Sequence, residues 1–171
     1  VGDDGLAIDD TRYFTIRVRA PWQVLVVAPG EVPVKFFTEA VSPFSLRQTG
    51  QSQFVCTVVR QKEAGSEVLG DQQLEGYSAI CLVDPLPFAA EDLQRLVRFS
   101  SQGGGVGLLL GHNASVNGFE SPLAQQLLGG RLLRQWRPVG GSFLDPVDDT
   151  HPMMAEFREV STSVPWQEFP V

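Results

Sequence analysis

Short polar and glycine segments follow several of the apolar runs in this sequence, and they contain the residues best suited to chemistry. The candidates for a ligand-binding rim are Gly30, Glu31, Asp84, Gly111, His112 and Asn113. Carboxylate, imidazole and amide groups can move protons, orient a nucleophile or hold a polar ligand when a fold gathers them in one crevice. Glycine and asparagine also suit ordinary turns, so the same residues are compatible with loops that only connect elements.

Nucleophilic catalysis would need a serine or cysteine beside an imidazole. Ser115 follows His112 closely, but the turn reads LGHNA and lacks the G-x-S-x-G or G-x-C-x-G pattern of a nucleophile elbow. His151 is a second imidazole, and it follows Asp148 and Asp149, which could orient a base. A histidine that precedes proline after an acidic loop is more typical of a local turn, so we predict no catalytic residue.

Neither a metal nor another cofactor is predicted. Asp84, His112 and one of Asp148 and Asp149 have suitable side chains for a metal, but their spacing does not favour a site. Cys56 and Cys81 lie inside apolar runs, FVCTVV and AICLVD, which favours small buried thiols over reactive ones. Two cysteines at this spacing indicate neither a metal site nor a disulfide scaffold.

Four continuously apolar runs must position the rim: residues 22–28, 54–59, 77–83 and 106–110. Runs of this kind, separated by helical patterns, are typical of buried parallel strands. In an open parallel sheet the ligand crevice lies beyond the carboxyl ends of the strands. We therefore predict a three-layer, flavodoxin-like α/β domain with a mostly parallel sheet, and we expect the four strand ends to meet at one rim that also includes Arg60.

Helical patterns separate the runs. Val34, Phe37 and Val41 have helical spacing after the first run. The clearest helix is AAEDLQRLVRFSSQGGG, with two acidic residues in its first turn, a core stripe of Leu93, Leu96 and Val97, and a glycine stop. ESPLAQQLLGG predicts a shorter helix capped by Ser121 and ended by Gly129.

The two ends of the chain differ from its centre. Residues 1–20 combine an acidic turn-rich stretch with the alternation TRYFTIRVR, which predicts an edge strand or linker from a preceding β-rich region. We assign residues 21–171 to one α/β domain. Its proline-rich part from about residue 140 predicts loops, with one short helix around residues 153–157, and RLLRQWRPV before it could form a further strand.

Composition limits the classes of partner. The formal net charge is −7, from 13 basic and 20 acidic residues. Nucleic-acid binding depends on clustered basic side chains that release cations from phosphates, so we predict no nucleic-acid partner. No stretch of about 18 uninterrupted apolar residues is present, so we expect a soluble segment that does not itself span a membrane. We expect this segment to be a piece of a longer protein.

The order of elements resembles the class I glutamine-amidotransferase-like domains of bacterial membrane-anchored proteins of the aerotolerance-operon type. The stretches that carry the resemblance are DDTRYFTIRVR leading into VLVVAPGE, YSAICLVDPLPFAAEDLQRLVRFSSQGGGVGLLLG, and DDTHPMMAEF. The resemblance implies a parent protein that also has a von Willebrand factor A module and transmembrane helices. It further implies that other domains or subunits of an envelope complex are the partners.

The amidotransferase chemistry itself is not carried over. In active members, the resemblance implies a glycine-flanked cysteine after the strand that follows the central helix, and a later histidine with a glutamate two positions on. Here the turn is LLLGHNAS, and His151 is followed by Pro152 and Met153. We therefore expect a non-catalytic binding or interaction module. The alternatives are a hydrolase that uses Glu31, Asp84 and His112 at the same rim, and a purely structural spacer.

Overall fold

A parallel four-stranded sheet forms the centre of this computed structural model, which describes residues 13–16, 19–135, 143, 150–159 and 166. The strands are β1 (Trp22–Pro29), β2 (Phe54–Gln61), β3 (Ala79–Val83) and β4 (Gly105–Leu109), in the order β2-β1-β3-β4. Every neighbouring pair is parallel. The predicted α/β, flavodoxin-like fold is confirmed, and the strand bounds agree with the four apolar runs to within a few residues.

The central strand β1 is buried from Val24 to Pro29, which explains its lack of alternation. Leu25 and Val27 project into a core with side chains of β3 and the later helices, whereas Val24 and Val26 project into a second core on the opposite face. A strand covered on both faces needs apolar residues at every position.

The chain direction explains the three layers. A parallel crossover is almost always right-handed, so steps in opposite directions along the sheet place their connections on opposite faces. The step from β1 to β2 carries α1 (Lys35–Val41) and α2 (Phe44–Gln48). The step from β3 to β4 carries α3 (Ala90–Ser101), whose Leu93, Leu96 and Phe99 pack in the core that contains Leu25.

Helix ends follow the sequence signals closely. Ser121 caps α4 (Pro122–Leu128) by accepting a hydrogen bond from the Ala124 amide at 3.2 Å, and Gly129 ends it with φ +65°. Gly103 follows α3 with φ +95°. These positions confirm the predicted serine cap and both predicted glycine stops. The core stripe of α3 differs in one residue, because Phe99 is buried and Val97 is only partly buried.

The chain divides into two compact units, Val1–Leu132 and Leu133–Val171. In the second unit α5 (Ala155–Glu159) follows a 3₁₀ turn at Pro152–Met154, close to the predicted short helix. Residues 131–135 of the predicted further strand have no regular structure, and the rest of it lies outside the described residues. Residues 13–16 also have no regular structure, so the strand or linker before residue 21 stays a prediction.

No helix within the described part of the chain combines the length and apolar character needed to cross a membrane.

Candidate functional site

The carboxyl ends of β3 and β4 bring three of the candidate rim residues together. Strands β3 and β4 pair up to Val83 and Leu109, so the loops that follow them start side by side. The Asn113 amide N–H donates to Asp84 Oδ1 at 2.7 Å, and Asn113 Nδ2 donates to Asp84 Oδ2 at 3.0 Å. Both carboxylate oxygens of Asp84 are therefore bound by one residue of the neighbouring loop.

The backbone of Asp84 is fixed at the same point. Its N–H donates to the Leu109 carbonyl at 2.7 Å, and it is the one non-glycine residue with positive φ among those described, at +45°. Aspartate tolerates this left-handed conformation better than most residues. An ideal Cβ at Gly111 would lie 2.7 Å from Asp84 Cγ, which explains why glycine occupies position 111. We call Asp84, Gly111 and Asn113 the Asp84 clamp.

A side chain of β2 holds the loop that follows β1. Arg60 Nη1 donates to the Pro29 carbonyl at 2.9 Å and to the Val32 carbonyl at 2.7 Å, on either side of Gly30 and Glu31. Gly30 and Glu31 are both exposed. The guanidinium of Arg60 therefore positions this loop rather than extending as a bare charge toward a ligand.

The chain reverses its direction along the sheet between β1 and β3, and that is where open α/β sheets bind ligands. β1 and β3 are neighbours, paired up to Val27 and Leu82, so the loop at Gly30 and the loop at Asp84 flank this switch point. His112 lies in the next loop along and is exposed. The predicted rim residues thus lie at the carboxyl ends of the strands, and the shortest contacts among them are those of the Asp84 clamp.

Sequence reasoning missed two buried polar anchors behind the rim. The side chain of Gln61, 1% exposed, donates to the Leu86 carbonyl at 3.2 Å and accepts from the Leu86 amide at 3.0 Å. It thereby fixes the loop after Asp84. A polar last residue in an apolar strand is the signal that could have identified it.

Asp92 is the second anchor. Its carboxylate is fully buried and accepts from the amides of Val68 at 2.7 Å and Leu69 at 3.1 Å. Arg95, one turn later, donates to the carbonyls of Leu69 and Gly70. Two side chains of α3 therefore satisfy the backbone of the connection between β2 and β3. The sequence suggested only that Asp92 favours the helix N-terminus.

Both cysteines lie in mid-strand, away from the rim loops. Cys56 and Cys81 are partly buried rather than fully buried, and both pack against the core on the α1 side of the sheet. Burial raises the pKa of each thiol, and proximity to Cys56 raises that of Cys81 further. A raised pKa keeps a thiol protonated and poorly nucleophilic.

Within the described ranges, no group of three His, Cys, Asp or Glu side chains is placed to bind a metal ion. Asp148 and Asp149, which could have completed such a group with Asp84 and His112, lie outside those ranges. His151 is described and exposed, in the second unit of the chain.

Comparisons with protein-family models, curated proteins and solved structures gave no match to this chain.

Proposed function

We propose that this chain is a non-catalytic binding or interaction module. Its fold would be that of the class I glutamine-amidotransferase-like domains, but without a cysteine at the position of the nucleophile. The parent would be a membrane-anchored bacterial envelope protein, and the partners would be its other domains or subunits. The observation that carries the proposal is that Asp84, Asn113 and Arg60 at the rim form hydrogen bonds with other loops of the chain itself.

The Asp84 clamp supports this proposal most directly. Each oxygen of Asp84 accepts a hydrogen bond from Asn113, so the carboxylate is held in place by the neighbouring loop. This side chain therefore serves to join two loops. The same holds for Arg60, whose guanidinium donates to two backbone carbonyls.

The positions of the sulfur atoms support it further. An acyl-transferring cysteine would be expected directly after β4, where the chain reads Leu110, Gly111, His112 and Asn113. The two thiols instead lie within β2 and β3, and their raised pKa values oppose nucleophilic attack. Neither thiol lies in the loop where this fold would place a nucleophile.

The test is a glutaminase assay on the purified chain. We expect no release of glutamate from glutamine above the buffer rate, with an active class I amidotransferase as positive control. Replacing Cys56 and Cys81 by serine should change the melting temperature without changing this null rate. A measurable rate that disappears with Cys81→Ser would refute the proposal, because it would show that a mid-strand thiol does reach substrate.

A further inference from the structure

The loop between β4 and α4 contains the one asparagine–glycine pair of the sequence, Asn117 and Gly118. An asparagine in this position can modify itself, because glycine has no Cβ to keep its amide nitrogen away from the preceding side chain. The pair lies in a 3₁₀ turn, Asn117–Phe119, and Asn117 is exposed. The side chain that would react is therefore accessible to water.

The reaction is a deamidation, in which the backbone amide of Gly118 is the nucleophile. Its nitrogen loses its proton and attacks Cγ of Asn117, which forms a five-membered imide. The bond from Cγ to Nδ2 breaks, and the side-chain nitrogen leaves as ammonia with a proton. Water then opens the imide at one of its two carbonyls and gives either aspartate or isoaspartate. Water is the only co-reactant.

Hydrogen bonds to Ser115 oppose the first step in the folded chain. The Gly118 N–H donates to the Ser115 carbonyl at 3.1 Å and to the Ser115 hydroxyl at 3.2 Å. Hydrogen bonds made by the protonated form of a group disfavour its deprotonation. The two bonds also fix the orientation of the Gly118 peptide group. Both effects slow the attack on Asn117.

Packing around Gly118 limits the movement of the turn. An ideal Cβ at Gly118 would lie 2.6 Å from Pro87 Cγ, so the backbone here lies directly against the loop that follows Asp84. Phe119, the next residue, is 3% exposed and belongs to the core that contains Leu25. The peptide group cannot turn toward the attacked carbon while both contacts are kept. Deamidation therefore requires local opening of this loop.

We infer that Asn117 is a self-modification site that the fold restrains, and that Ser115 is the residue that restrains it. Isoaspartate adds one carbon atom to the main chain, which would displace the Gly118 nitrogen from Ser115. This change would occur in the loop that also supplies Asn113 to the Asp84 clamp. The modified form therefore records past openings of the loop. The inference goes beyond the proposed function, because it concerns the covalent structure of the chain rather than a partner.

Peptide mapping by mass spectrometry tests the site. The purified chain is incubated at mildly alkaline pH, folded or unfolded in guanidinium chloride, and sampled over several days. We expect Asn117 to deamidate at least about tenfold faster in the unfolded chain, because the folded chain reacts only when the loop opens. Asn113, which precedes alanine, is the internal control and should react far more slowly than Asn117 when unfolded. Equal rates at Asn117 in both states, or no reaction in the unfolded chain, would overturn the inference.

Substitution of Ser115 tests the restraint. Ser115→Ala removes the hydroxyl acceptor, so the folded chain should deamidate about two- to tenfold faster, as expected for the loss of one hydrogen bond. Ser115→Thr keeps the hydroxyl and should retain the slow rate. Ser101→Ala is the matched control, because the Ser101 hydroxyl donates to the Val97 carbonyl within α3, and its rate should equal that of the wild type.

Measurements on the unfolded variants separate the restraint from intrinsic reactivity. In guanidinium chloride all of these chains should deamidate Asn117 at one rate, since no turn remains. The thermal unfolding curve of Ser115→Ala should match that of the wild type, because Ser115 is exposed. A folded Ser115→Ala chain that reacts no faster than the wild type would overturn the role assigned to Ser115. A faster rate explained entirely by a lower melting temperature would overturn it as well.

Discussion

At the residue scale, the Asp84 clamp shows how a loop position can resemble a catalytic site while serving a structural purpose. The left-handed backbone of Asp84, the close approach of Gly111 and the two bonds from Asn113 depend on one another. The sequence placed Asp84, Gly111 and Asn113 at the carboxyl ends of parallel strands, where neighbouring loops start side by side. It could not predict that Asn113 would bind both oxygens of Asp84, because that depends on loop geometry.

The clamp leads to a stability prediction. Gly111→Ala should lower the free energy of unfolding by about 1 to 3 kcal/mol, because the new methyl group overlaps the Asp84 carboxylate. Gly130→Ala is the control, since a Cβ there meets nothing within 4 Å. It should change the free energy by less than about 0.5 kcal/mol. Urea denaturation of both variants measures the difference, and equal effects would contradict the account of the clamp.

The thiols provide a prediction that depends on pH. Because burial raises the pKa of Cys56 and Cys81, both should react with iodoacetamide more slowly at pH 8 than a cysteine in a short peptide. Their rates should continue to increase above the ordinary thiol pKa of about 8.5. In stability terms, a raised pKa in the folded state favours folding at low pH, and this contribution is lost as the pH rises through the raised value.

Mass spectrometry of the alkylated chain over a series of pH values provides the measurement. A peptide with one cysteine between apolar residues is the control for intrinsic reactivity. If either cysteine reacted faster than the peptide at pH 8, its thiolate would have to be stabilised, and the structural role assigned to it would be wrong.

At the element scale, the helix α3 has a larger role than covering the sheet. Its buried Asp92 and its Arg95 supply hydrogen-bond partners for the connection between β2 and β3, which contains no α-helix of its own. The sequence predicted this helix from apolar periodicity and from its glycine stop. Asp92 was missed because an acidic residue in a first turn is already explained by the helix dipole.

This second role can be measured by removing the carboxylate. Asp92→Ala should lower the free energy of unfolding by about 1 to 3 kcal/mol, because the amides of Val68 and Leu69 lose their acceptor. Glu91→Ala is the matched control in the same turn. Glu91 is exposed, and its loss should cost less than about 1 kcal/mol. Equal losses on urea denaturation would mean that the buried carboxylate does not support the connection.

At the scale of the whole molecule, the fold class was predictable from the sequence, but the short helix α2 and the order of the strands were not. Four apolar runs of strand length, separated by helical patterns, determine a parallel sheet with helices on both faces, since other arrangements leave apolar surface uncovered. The short α2 was not predicted, because a five-residue helix has too few positions to show periodicity. The position of β2 as an edge strand depends on strand order, which apolar patterns do not encode.

The connection between β2 and β3 is anchored on its backbone at Val68, Leu69 and Gly70, whereas Lys62, Glu63 and Ala64 before these anchors are exposed. Foreign sequence inserted between Lys62 and Glu63 would therefore emerge into solvent before the turn in which the Ser66 hydroxyl donates to the Glu63 carbonyl, and would leave that turn intact. A fluorescent label or an affinity tag placed there would report on the intact domain, at a site separate from its two termini.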